Sequence, residues 1–336
     1  MTTAARTTSC LARLAIATTI LLVDPDALVH AEEAAGSPRT AAQLDPLVAP
    51  IALYPDALLA QILMASTYPL EVAAAARWAQ ANPGVAGEAL EDAMQSQPWD
   101  ASVKGLTALP LILQMMSDRR DWTQALGDAL LIRQQGVLDA IQRLRVRAET
   151  AGNLETTPQQ KVARVAAPPE PGSTAPPGTV YTIEPATADE YSVPIYHART
   201  AFGAWPHAEY PPLAWSPPGL VGSSSGFAFT SSVAVGGAIW GLIDWWQHRV
   251  NINVGRFNRF NETKSTRRTW AHDPAHRGGV PYPAGVVPAR LSDPGKAAAR
   301  EGGERGAESE KPEVKPKGAR ARGNMRRAGR RHGRRR

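Results

Sequence analysis

The chain has 336 residues, with 37 Lys or Arg against 31 Asp or Glu, and one cysteine, Cys10. After export it would keep roughly 300 residues, room for two domains, but its 29 prolines and 28 glycines fall mostly beyond residue 150 and exclude a packed core throughout. Cys10 lies in a segment read below as removed on export, so disulfides, thiolate catalysis and Cys-ligated zinc are excluded for the mature chain.

The chain opens MTTAARTTSCLARLAIATTILLVDPDALVHAEE. Arg6 and Arg13 carry positive charge, no acidic residue precedes Asp24, and Leu14 to Val23 is uncharged and mostly apolar. Val29-His30-Ala31 then sets small residues where a signal peptidase reads. The pattern predicts a secretory signal over 1–31, and so an exported protein, periplasmic or associated with the outer envelope. The apolar run is too short to span a bilayer, which takes about 20 residues.

Residues 41–152 are rich in Ala and Leu and predict a multi-helix domain. Leu58, Ile62 and Ala65 share one stripe, and Pro55 stands where a helix can begin. A second helix opens after Tyr68-Pro69 and stops at Asn82-Pro83-Gly84. Further helices are expected at 85–96, 101–117 and 121–149, with Asp100 and Asp121 as N-caps and Gly152 as the closing C-cap.

The segments LDPLVAPIALYPDALLAQILMASTYPLEV, RWAQANP, QPWDASVKGL, DWTQALGDALL and IQRLRVRAETAGNLETTPQQKV carry a resemblance. So do YTIEPA, GGAIWG, VNINVGRFNRFN and WAHDPAHRGGVPYP further on. Together, over about 43–283, the chain resembles a bacterial exported family, domain of unknown function 3300. The resemblance implies an envelope location and carries over no active site and no cofactor. The chain departs from the family pattern at His197, where aspartate is expected, and in a weaker Tyr/Pro-rich stretch after Trp205.

Residues 153–178 read as a linker, and 179–290 as a small β-containing, Pro/Gly-rich region. VYTIEPA (180–186) and EYSVPIY (190–196) predict two short strands joined by a turn, the second an edge because of Pro194. Residues 226–246 leave two readings open. Gly237-x-x-x-Gly241 and Trp240, Trp245 and Trp246 suit membrane contact; dilution by Gly, Ser and Thr favours a packed soluble segment. VNINVGRFNRFN (250–261) alternates and reads as a strand.

Residues 291–336 read as a disordered linker and tail. Of the 37 basic residues, 11 lie between Val314 and Arg336, which hold no acid; the other 26 face all 31 acidic residues, so the excess positive charge belongs to the tail. Arg320, Arg322, Arg326, Arg327, Arg330, Arg331, Arg334, Arg335 and Arg336 form a candidate anion-binding set, since guanidinium pairs bidentately with phosphate or carboxylate.

His272 and His276 are the weak candidate metal ligands, spaced as in H-E-x-x-H. Pro274 argues against that geometry: Asp273 becomes an N-cap and Pro274 the first helical residue, leaving His272 outside and His276 inside. His197, His207 or His248 could join them only in a loop arrangement. Gly222–Gly226 matches G-x-S-x-G around Ser224 without the strand and helix that a nucleophile elbow needs. Asp56, Glu71, Asp100 and Asp121 could do acid–base work only if folding brought them together.

The sequence thus predicts a mainly α protein: an N-terminal multi-helix domain, a small β-containing region and a disordered basic tail. The expected role is a non-catalytic envelope binding protein or scaffold whose tail holds an anionic envelope polymer or lipid. The alternatives are an envelope hydrolase on cell-wall material and, against the signal peptide, a nucleic-acid-binding protein.

Overall fold

A computed structural model describes residues 38–167, 178–213, 215 and 227–291. The signal segment, Ser224 and the arginine tail lie outside the described residues. Helices dominate the first part: α1 (Ala41–Val48), α2 (Asp56–Ser66), α3 (Pro69–Ala81), α4 (Glu88–Gln95), α5 (Ala101–Leu106), α6 (Pro110–Asp118), α7 (Arg120–Ile132) and α8 (Gln134–Thr150). Helix α2 is apolar on all sides and correspondingly central: Leu58 through Ser66 are all buried.

Helix boundaries follow local chemistry. A Thr40–Gln43 capping box starts α1. Pro69 and Pro110 occupy first turns, where no N–H is needed. Asp100 caps α5 through the Ser102 N–H. After α8, Gly152 takes φ of 72° and its N–H bonds the Glu149 carbonyl. Three expectations need correction. The helix over 101–117 is two, because Pro110 begins a new one after a bend at 107–109. The helix over 121–149 breaks at Arg133, which is extended at φ −155°, ψ 91°. Asp121 sits inside the first turn of α7 and is not its cap.

The strands are β1 (Gln160–Ala166), β2 (Thr179–Pro185), β3 (Glu190–Tyr191), β4 (Pro194–Tyr196), β5 (Phe227–Phe229), β6 (Val233–Ala234), β7 (Gly241–Asp244) and β8 (Arg249–Ile252). They form four antiparallel two-stranded ribbons: β1–β2, β3–β6, β4–β5 and β7–β8. The expected hairpin of 180–186 with 190–196 does not form. Strand β2 pairs instead with β1, which lies inside the stretch read as a linker. The strand read over 250–261 is likewise short: Asn253 accepts from the Arg256 N–H and starts α10 (Val254–Phe260). One-turn helices α9 (Ala198–Ala201) and α11 (Pro288–Leu291) and a 3-10 turn at Pro274–Arg277 complete the described chain.

One buried apolar cluster runs through both parts, from Leu44 in α1 to Phe260 in α10. Polar side chains fasten the ribbons to the helices. Gln61 of α2 is wholly buried; its amide donates to the Ser102 carbonyl (3.1 Å) and accepts from the Gly241 N–H (3.2 Å). A Cβ on Gly241 would lie 2.7 Å from the Ala57 carbonyl, so β7 meets α2 closely because that position has no side chain. Trp240 and Trp245 are buried here, whereas Trp246 stays exposed. The Gly237–Gly241 spacing falls in a turn and strand, not a helix. Among the described residues no single helix is long and apolar enough to cross a membrane.

Arg145 of α8 is fully buried. It pairs with Asp56 at 2.6 Å, donates to the carbonyls of Ala52, Tyr54 and Tyr181, and lies 4.9 Å over the Trp245 ring. Asp56 also accepts from the Trp245 indole (2.8 Å) and the Ile183 N–H (3.3 Å). A charge pair this deep is tolerated because four of the five guanidinium N–H donors are hydrogen-bonded and the ring of Trp245 covers the group.

Candidate ligand-binding cleft

Helix α3 places Glu71 in its first turn, where an acid suits the helix dipole. The Glu71 carboxylate accepts from the Asp100 N–H (2.6 Å) and meets His276 Nδ1 at 2.8 Å. Asp100, at the start of α5, accepts from both the N–H and the hydroxyl of Ser102. The fold therefore gathers two carboxylates that the sequence left on separate helix starts and sets a histidine beside them.

Electrostatics follow burial. Glu71 is raised above the ordinary carboxylate range by burial, against bonds from the Asp100 N–H and His276 that pull it down. Asp100 is raised for the same reason, opposed by Ser102. Burial lowers the Lys104 ammonium. Burial alone would also lower His276, but its bond to Glu71 and the charges of Glu71, Asp100 and Asp273 prevail and raise it.

The two candidate metal histidines diverge, as the cap geometry requires. The Asp273 side chain accepts from the Ala275 N–H, and Pro274 opens the 3-10 turn. His276 turns to Glu71. His272 stacks on Tyr68 at 5.0 Å and bonds Thr67 Oγ1 (3.1 Å) and the Tyr282 hydroxyl (2.8 Å). The Thr67 proton is committed to the Met64 carbonyl. His272 Nδ1 therefore donates to Thr67, and on a neutral ring Nε2 accepts from the Tyr282 hydroxyl. Burial and the nearby Arg277 push its pKa down to about 4. Arg277, also buried, ties this segment to the Thr67 carbonyl and to Asp128. His248 pairs with Asp139, and His207 lies near Glu209, so neither joins the pair. Among the described residues no group of three His, Cys, Asp or Glu could hold a metal. Asp56 belongs to the Arg145 centre, and Asp121 is exposed.

Asp100, Lys104, Asp273 and His276 line a cleft of about 570 Å³. Its walls carry Trp99, Trp240 and Trp270, contributed by segments far apart in sequence. The sequence sets Trp99 directly before the Asp100 cap and places Trp240 in a segment that leaves membrane contact and soluble packing open. It had no signal for the cleft, because no local pattern relates the three indoles.

Fold and cleft define a mainly α protein with short strand ribbons and a mixed-charge, aromatic-walled site. The family model described as "Protein of unknown function (DUF3300)" matches residues 40–277, and the chain belongs to that family. It is similar to the "Uncharacterized protein YacH" of Escherichia coli (strain K12), 38% identical over 297 residues. That match takes in 72% of this chain and 48% of the relative, so the chain spans about half the length of the curated relative it matches. No solved structure matches.

Proposed function

We propose that this protein is an exported cell-envelope binding protein or scaffold that engages its surroundings at two places. The observation that carries the reading is the cleft, large enough for a small ligand and walled by aromatic and charged side chains of both signs. The arginines from Arg320 to Arg336 supply the second contact, to an anionic envelope polymer or lipid, with no stabilising fold required. The signal-like N-terminus supports the location.

The test is fractionation of cells making the full chain or a chain ended at Pro294. Salt should release the full chain from membranes, since contacts to polyanions weaken as counterions compete. The shortened chain should be soluble without it. Equal retention of both chains would sink the role of the tail, and release by detergent alone would assign the contact to 226–246.

One observation favours hydrolysis of cell-wall material as a second reading. Glu71 holds His276 Nδ1 while the ring lines the cleft, the arrangement by which a carboxylate orients a histidine base. Release of soluble fragments from purified cell walls, lost in His276→Ala and Asp100→Ala proteins that still fold, would establish it. No release by the wild-type protein would remove it.

A further inference from the structure

We propose that the cleft receives an uncharged glycan. This rests on reading the cleft as a binding site and names its ligand class. Three observations point the same way.

The first is the walls. Trp99 and Trp270 are half-buried, and Trp240 is held edge-on by Phe257 at a centroid distance of 4.8 Å. An indole face carries negative π density, and the C–H groups of a pyranose face are weakly positive and apolar, so a sugar ring lies flat on it. Gln97, Thr263 and Thr269 line the same cleft and carry side-chain donors and acceptors suited to hydroxyls.

The second is an orphan donor. Trp240 is 2% exposed, and its indole N–H is buried with no partner. A buried indole N–H usually has one, and leaving a buried donor unsatisfied is unfavourable. Trp240 is one of the residues lining the cleft, so this unpaired donor belongs to the cleft wall.

The third is charge. Lys104, Lys264 and Arg267 are matched by Asp100, Glu262 and Asp273 around the same cleft, and His276 is matched by Glu71, to which it is bonded. The Lys264 ammonium is already bonded to the carbonyls of Asn258 and Asn261. A groove for single-stranded nucleic acid also stacks rings on aromatics, but it needs a positive lining to follow phosphates. This cleft has none in excess, which separates a glycan from a nucleic acid or an acidic polymer.

The experiment titrates the purified full chain with chitotetraose and cellotetraose, read by tryptophan fluorescence and calorimetry. At least one saccharide should bind. Trp270→Ala should weaken it about tenfold or more, Trp270→Phe less, and Trp246→Ala, outside the cleft, not at all. The oligonucleotide dT10, which the arginine tail can hold elsewhere, should not displace the saccharide. Near-ultraviolet circular dichroism checks that each variant folds. If neither saccharide binds while an envelope extract still quenches wild-type but not Trp270→Ala fluorescence, the ligand class is wrong and the cleft remains a binding site. If nothing quenches, both readings fall. Trp270-dependent displacement by dT10 would overturn the glycan in favour of a nucleic acid.

Discussion

The helical part and the strand-bearing part of this protein are held in different ways. Helix α2 is enclosed by apolar neighbours, and Leu58, Leu59, Ile62 and Leu63 are all fully buried. The ribbons are only two strands wide, and such ribbons are marginal by themselves in water. They are fastened by buried polar groups: Gln61 to β7, Asp56 and Arg145 to β2 and Trp245, Gln142 to both backbone groups of Tyr181. Apolar burial is non-directional, whereas hydrogen bonds in a dry interior hold their partners to one geometry. The contrast teaches that the strand part borrows its core from the helices and takes its register from a few charged and amide side chains.

The sharpest way to break that contrast is Arg145→Met. It leaves Asp56 without its cation partner and orphans the carbonyls of Ala52 and Tyr54, and should lower stability by about 3–5 kcal/mol. Guanidinium unfolding should lose the near-ultraviolet tryptophan signal and the helical signal in one transition. Two separate transitions would mean that the strand part stands alone.

Acid probes a second fastening. His272 is neutral when folded, with a pKa of about 4, and the unfolded ring titrates near 6.5. Between those values the unfolded chain binds the extra proton, so stability falls as pH falls, by up to about 3 kcal/mol. Buried Glu71 and Asp100 act with the opposite sign, since their raised folded values lose stability as pH climbs through them. Comparing His272→Phe with wild type isolates the histidine: the slope of melting temperature between pH 4 and 6.5 should flatten. An unchanged slope would contradict a neutral buried ring.

Gly241→Ala comes next, at about 1–3 kcal/mol from overpacking against α2. Gly152→Ala, with nothing within 4 Å of the added carbon, carries only the strain of its positive φ. Equal melting shifts in the two would argue that the contact between β7 and α2 is loose. The smallest effect on stability is expected for Trp270→Ala, half-exposed in the cleft, whose loss should appear in ligand binding.

Much of the helical part was legible because its signals are local. Proline in the first turn, an aspartate cap and a glycine after the last turn act within four residues of themselves. Periodicity carried the helices but not their breaks, since nothing near Arg133 announces the turn there. Strand pairing is not legible for the opposite reason: it is a contact between distant segments, and β1, most of whose side chains face solvent, lies in a stretch that reads as linker.

The same division holds at the site. The sequence alone determined that Asp273 caps and Pro274 starts a turn, because proline lacks the N–H and fixes φ; that was enough to separate His272 from His276. Only the tertiary structure decided that Glu71 meets His276 from 205 positions away. It alone decided that Asp100 joins them and that three scattered indoles wall one cleft. Those contacts are set by how helices and ribbons pack, and packing is a property of the whole buried cluster rather than of any stretch of chain.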